Sequence, residues 1–571
     1  MIARMACCFG FFFAAMAAVA QPAAKPPAAP AGAFQISGTL VDSTNDQPLA
    51  HARVAIAPVS DRSAFTAIVT SDDGRFVFRR LAAGKYTLTA QRPGYLTQSF
   101  NQHDQFSSSI AVGAGLDSGD LVFRLAPEAA ISGVITDEVG DPVRQAQVLL
   151  FQAGIAGGAD GVRLRSRTVT DDEGAYRFGH LMPGKYLVAV SAKPWYAQPA
   201  VSPDAGGHQV FQPQGGAVTS HSREGSAPLP VDEKTAALDV AYPITFYPGA
   251  ADPAAGAQIP LALGEKAIAN VTLQPVPAAH FRVWRDEKAG QQRYPSLEVR
   301  LFDTTVSLQS EIQAESAGYV FISGVAPGHY SLKINDYSSG SMQNISTREV
   351  DVSASGDVET PQAASRAQVT VSVQLEAGAR LAPQSAIRLY NKNTSEAFVE
   401  RANSKGEFEF KSGVPPGTYE LSITNSTGLF VKSVSSSGAK PIGRTVEIKG
   451  SSPLTLALVV GLGQAQIKGV ALRDDKPLSG AMVLLVPADP AHNQVLFRRD
   501  QSDSDGTFTL AEVVPGKYTL LALENGWDLE WTKPAVLKPF LPQGESITVL
   551  PNGKQEFKLK VQQVPTAGAQ P

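Results

Sequence analysis

The chain has two cysteines in 571 residues, and both, Cys7 and Cys8, lie among its first ten. Everything beyond them is closed to disulfides, thiol nucleophiles and thiolate metal sites, so stability has to come from apolar cores. Charge is also scarce. Asp, Glu, Lys and Arg make up 18% of the residues, against roughly 25% in an average soluble protein. A net charge of −4 leaves no basic field, which argues against nucleic acid as a partner. H-E-x-x-H and G-x-S-x-G are both missing, so the common zinc-protease and serine-hydrolase constellations are not expected. After residue 20 there is no apolar run long enough for a membrane helix, and the end lacks the terminal aromatic strand of an outer-membrane barrel.

What the chain does have is Gly, Pro and a repeat. TSDDGRFVFRRLAAGKYTL (70–88) returns as TDDEGAYRFGHLMPGKYLV (170–188), ESAGYVFISGVAPGHYSL (315–332), NSKGEFEFKSGVPPGTYEL (403–421) and SDSDGTFTLAEVVPGKYTL (502–520). Phe76 and Phe78 are two apart and share one face of a strand, and Tyr86 and Leu88 repeat the alternation on the next. A turn Gly precedes the first strand, and an Ala-Gly or Pro-Gly pair separates the two. The spacing predicts a β-hairpin with a buried face. Four copies keep ten residues between turn glycines (74/84, 174/184, 318/328, 506/516). The fourth has eleven (406/417), which predicts a bulge there. Tyr86, Tyr186, Tyr330, Tyr419 and Tyr518 recur in every copy, as a structural tyrosine tying a loop would.

The recurrence divides the chain. Residues 1–20 read as a secretory signal ending Ala18-Val19-Ala20, and 21–33 as a Pro/Ala linker. Five β-sandwich units follow: 34–126, 127–277 with a mobile insertion near 199–230, 278–364, 365–461 and 462–563, then a disordered tail, 564–571. The fold class is all-β, a tandem array of about five transthyretin-like or Ig-like sandwiches.

Units 1, 2 and 5 open alike, with ISGTLVDSTNDQPLAHARVAIAP, ISGVITDEVGDPVRQAQVLLF and IKGVALRDDKPLSGAMVLLV, and with Pro48, Pro142 and Pro477 in the same place. That pattern, followed by D-G-x-[FY]-x-[FL] and P-G-x-Y-x-[LV], resembles the carboxypeptidase regulatory-like domain. Units 3 and 4 carry only the second half-motif. The resemblance implies a transthyretin-like sandwich of about seven strands, grouped with carbohydrate-binding-like folds.

The residues raise three chemistries. One H-x-x-E occurs, His221 to Glu224, with His280 and His329 downstream, but in a Gly/Ser-rich stretch unsuited to a closed metal site. Asp503, Ser504, Asp505 and Gly506, with Glu512, look faintly like a calcium loop; Gln501 occupies the first ligand position and strands flank it, so a carboxylate-rich turn is the expectation, as for Asp72, Asp73, Asp171 and Asp172. No Lys and Asn pair recurs at matching positions for an isopeptide staple. Aromatics remain. Trp195, Tyr196, Tyr242, Phe246 and Tyr247 in unit 2, and Trp527 and Trp531 in unit 5, are candidate sugar-stacking residues, with capping of the sandwich end or packing between units as the alternative. The expectation is an exported, non-catalytic protein with no cofactor and no bound metal, binding a glycan or the cell envelope. The alternatives are a stalk that presents an envelope protein and an enzyme with an unrecognised site.

Overall fold

The computed structural model describes residues 32–116, 118–198, 237–284, 293–308, 311–314, 319–336, 343–352, 356–358, 366–391, 396–403, 406–438 and 440–565. The expected signal, most of the linker, the insertion with His221 and Glu224, and the last six residues of the tail lie outside them.

All five units share one plan. In unit 1, Phe34–Asp42 pairs antiparallel with Arg75–Leu81 and parallel with Leu121–Leu125. Opposite lies a sheet in which Arg53–Pro58 pairs with Thr66–Val69 and Gly84–Gln91. The same pairings recur around Ala129–Thr136, Ala279–Trp284, Ala367–Leu375 and Ala465–Arg473. Each unit has its own apolar core. Among the described residues no helix is long and apolar enough to cross a membrane.

This pairing corrects the hairpin expectation. The two strands of the repeated stretch never pair with each other. Arg75–Leu81 belongs to one sheet and Gly84–Gln91 to the other, so the Ala-Gly or Pro-Gly turn is an arch across the edge of the sandwich. Phe76, Phe78, Tyr86 and Leu88 therefore meet across the core instead of lying side by side. The alternation specified which residues are buried, and it is the same for a hairpin and an arch.

The bulge is general. Between Ile36↔Phe78 and Phe34↔Leu81 the second strand spends one residue more than the first, and units 2, 3 and 5 do the same. Unit 4 spends two more, from Phe410 to Val414 against Val369 to Ala367, which places the eleventh residue of its spacing. Arg80, His180, Gly324, Gly413 and Glu512 sit at the bulge with φ between 52° and 71°.

Each arch is tied by its tyrosine. Tyr86, Tyr186, Tyr330, Tyr419 and Tyr518 donate their hydroxyls to the carbonyl four residues earlier, at 3.0, 2.7, 2.7, 2.9 and 2.7 Å. That carbonyl lies at the start of the arch, where the chain has left one sheet and not yet joined the other, so the phenol supplies its partner. Tyr518→Phe is expected to cost unit 5 about 1 kcal/mol, the net worth of such a bond, read as faster amide hydrogen exchange over Thr507–Val513. Unchanged exchange there contradicts the tie.

The turn glycines answer to conformation and space together. Gly74, Gly174 and Gly506 have φ of 70–73°, and a Cβ on them would press on Pro48, Pro142 and Pro477 at 2.8–3.1 Å. The two half-motifs of units 1, 2 and 5 thus touch each other.

The array closes on itself. Units 1 and 2 join through 94–96 and 126–128, and units 2 and 3 through an apolar joint. Unit 3 approaches unit 4 along Gln343–Val352 and Phe408–Val414. Units 4 and 5 meet where Arg444 donates to Asn493 at 3.2 Å. Unit 5 then returns to units 1 and 2.

Candidate functional site

The seven candidate aromatics part company. Phe246 is 1% exposed in the joint between units 2 and 3, its ring 6.0 Å from that of Phe302. Tyr242 is buried, and its hydroxyl donates to Glu138 at 2.9 Å; Tyr196 donates to the other oxygen of the same carboxylate. Burial first, then the bond to Glu138, pushes the Tyr196 phenol up to about 12. Tyr247 is half-buried against the core of unit 2. Trp531 is buried between the Phe497 ring, 5.1 Å away, and the Arg499 guanidinium at 4.8 Å, with its indole over Gly158 of unit 2. These faces are already occupied by protein, so no sugar ring can stack on Phe246, Tyr242 or Trp531. Trp195 is the opposite, 85% exposed beside Tyr196.

Trp527 lies at the seam between units 1 and 5. It stacks on His103 with ring centroids 4.9 Å apart and planes 6° from parallel, and Phe106 packs at 5.7 Å. Its Nε1 donates to the Gly480 carbonyl at 3.2 Å. Around it the two units are sewn together. Gln501 Nε2 donates to the Asn101 carbonyl (2.6 Å) and to Ser108 Oγ (2.9 Å), and its Oε1 faces His103 Nδ1 at 3.1 Å. The Ser108 hydroxyl donates to the Ser502 carbonyl at 2.8 Å. Ser504 N–H donates to the Ser109 carbonyl (2.9 Å), and Ala111 N–H to Ser504 Oγ (2.8 Å).

The acidic turn at 503–506, with its faint likeness to a calcium loop, is spent here. Asp503 accepts from Lys85 Nζ and, at 2.7 Å, from Ser109 N–H; Asp505 faces the same ammonium at 3.6 Å. Lys85 occupies the same G-K-Y position as Lys185 and Lys517, so nothing local in the sequence marks it. Asp500, just behind, accepts from Thr509 and Gln501 amides. Burial pushes its carboxyl up to about 6 against those amide bonds. The folded state then holds a proton between pH ~4 and ~6 that the unfolded chain releases. The stability this provides is fully present below the unfolded value of 3.8 and is lost as pH rises through about 6. Asp500→Asn is expected to flatten the pH dependence of the melting temperature across that window; an unchanged profile contradicts the assignment.

Beside Trp527 the seam leaves a cavity of about 190 Å³, lined by Asn101 and His103 from unit 1 and by Ser479, Gly480, Glu524 and Asn525 from unit 5 among others. Glu524 is held by Arg473 at 2.6 Å. Asn101 and Asn525 are exposed, with φ of 49° and 58°. His103 covers one face of the Trp527 indole, so the cavity offers only the remaining edge and surface of Trp527 beside amides, a hydroxyl and a carboxylate, groups that can match part of an apolar ring and the hydroxyls around it. Of this lining the sequence reading found only Trp527. Glu524 and Asn525 adjoin it in the chain, but Asn101 and His103 come from a loop more than 400 residues away, for which the sequence holds no signal. Among the described residues no three His, Cys, Asp or Glu side chains gather in a metal-holding group.

Comparison with known proteins places two of the five units. Residues 35–125 and 130–210 match the carboxypeptidase regulatory-like domain family. No curated protein matches the chain. Solved structures similar to it include a streptococcal ancillary pilin, 10% identical over 50% of this chain and 98% of its own, with a TM-score of 0.18. The minor pilin GBS52 of Streptococcus agalactiae is 11% identical over 43% and 96%, with a TM-score of 0.19. A candidate carbohydrate-binding protein of Bacteroides uniformis is 12% identical over 28% and 88%, with a TM-score of 0.13.

Proposed function

We propose that this chain, built on carboxypeptidase regulatory-like sandwiches, is an exported, non-catalytic glycan-binding protein. The observation that carries the reading is the cavity at the seam of units 1 and 5, lined by Trp527, itself stacked on His103, together with Asn101, Ser479, Glu524 and Asn525. Its volume, about 190 Å³, is below the roughly 300–1,000 Å³ of drug-sized ligand sites. It suits a single sugar ring, such as the end of a glycan, and not a threaded chain. Export rests on the apolar leader at 1–20.

The stalk alternative is less well supported, because a chain whose fifth unit docks on its first gains little length. A protein partner at the envelope keeps one supporting observation, the 85% exposed Trp195, since exposed tryptophans are common binding anchors. One experiment separates the two. Residues 21–571 are screened on a glycan array alongside Trp527→Ala and Trp195→Ala. Loss of at least tenfold in affinity with Trp527→Ala, the fold intact by circular dichroism, supports the seam site. Glycan binding that survives Trp527→Ala moves the site elsewhere, and no glycan binding by the folded wild type removes the glycan reading.

A further inference from the structure

We propose that the seam cavity is a two-part site, so that binding of a single neutral sugar ring and closure of the five-unit array are one coupled equilibrium. The ligand class rests on the glycan reading above; the coupling rests on the seam itself. Asn101 and His103 come from unit 1, and Ser479, Glu524, Asn525 and Trp527 from unit 5. Neither unit carries the site alone. A ligand that touches both walls binds the closed array and not the open one, so it draws the array closed, and whatever opens the array weakens the ligand. The reciprocity follows from linkage.

One of the contacts that hold the seam, the Asp503 clasp, lies off the cavity and can be removed by itself. Both side-chain hydrogen bonds of Asp503 cross the seam, to Lys85 Nζ and to Ser109 N–H. Its part in its own turn is made by the backbone, with Asp503 N–H donating to Thr507 and Gly506 N–H to Asp503. Asp503→Ala therefore weakens the hold on unit 1 without disturbing the turn or removing a residue that lines the cavity, while the Gln501, Ser108 and Ser504 bonds across the seam remain. The carboxylates and cations facing this point are Asp500, Asp505 and Lys85, so losing Asp503 also leaves the Lys85 ammonium with a weaker partner.

The test uses residues 21–571, which contain no native cysteine. Labels on Arg62→Cys in unit 1 and Lys538→Cys in unit 5, both exposed positions, report the distance between the units. Glucose, galactose and N-acetylglucosamine serve as probes. The proposal expects Asp503→Ala to broaden the distance distribution and to weaken a bound sugar at least tenfold, and it expects that sugar to narrow the distribution again. A broadened distribution with unchanged sugar affinity overturns it, because the site is then complete within one unit. An unbroadened distribution overturns it too, because the remaining seam bonds then hold the array closed and no opening is there for a sugar to oppose. If the wild type binds none of the sugars, the glycan reading falls by itself, and hydrogen exchange decides the coupling. Faster exchange at both 101–103 and 478–481 in Asp503→Ala supports a cavity built by closure, and unchanged exchange overturns it.

Discussion

Alanine at Gly133 is expected to destabilise unit 2 by about 3 kcal/mol or more, at or beyond the top of the range for overpacked cores. A Cβ there would lie 2.2 Å from the Ala269 carbonyl oxygen and 3.0 Å from the Tyr176 ring. The ring could turn, but the carbonyl belongs to the chain linking two strands that pair parallel with this one, and it cannot withdraw without breaking the sheet. Gly38 meets the Leu121 carbonyl at 2.2 Å and Gly469 the Phe557 carbonyl at 2.4 Å in the same place, so their alanine variants are expected to behave alike in units 1 and 5. Gly249, with nothing within 4 Å of its missing Cβ, is the control, expected within about 0.5 kcal/mol of wild type. Hydrogen exchange resolved by unit reads the effect. Equal protection in Gly133→Ala and Gly249→Ala contradicts the packing described.

Phe151→Ala is the second large effect, roughly 3–5 kcal/mol for deleting a buried phenyl ring. Phe151 lies on the outer face of its sheet, where a sandwich strand normally meets water, yet it is 0% exposed. Phe302 of unit 3 covers it at 5.1 Å, beside Leu149, Phe246, Leu301 and Val306. The joint is a small core of its own. Units 2 and 3 are therefore expected to melt together, and the pair Phe151→Ala and Phe302→Ala to be non-additive by about 0.5–3 kcal/mol. Strict additivity contradicts a packed joint.

How far the sequence reached depends on whether the signal was local. The five tyrosines were legible because repetition in every unit singled out a job that every unit shares. The eleventh residue of unit 4 was legible as a bulge, although the bulges of the other four units were not, because a feature common to all copies changes no spacing. The hairpin expectation failed for a related reason: Phe76, Phe78, Tyr86 and Leu88 alternate identically whether their strands pair or face each other. Trp527 and Trp531 looked equivalent, four residues apart in one irregular stretch. One faces a cavity and the other is buried under Gly158, a difference set by units 1 and 2 and by nothing near either tryptophan. Seam partners such as Lys85 and Asp503 are 418 residues apart, and only tertiary structure brings them together.

The position of the first-strand glycine is instructive too. Units 3 and 4 lack it and carry Val283 and Val371 instead, paired to the same strand of the repeat. Both valines are fully buried, so these units fill with a side chain the space that units 1, 2 and 5 give to a close backbone approach. The missing half-motif records a different packing of the same topology.

The measurement that bears most directly on the closed array is small-angle scattering of residues 21–571 in solution. With about 13 Å for a 100-residue unit, five units closed through the seam give a radius of gyration of about 30 Å, and the same five strung in a line about 45 Å. The closed array predicts the smaller value, rising in Asp503→Ala. A wild-type value near the larger one contradicts it, and with it the seam, the cavity and the function built on them.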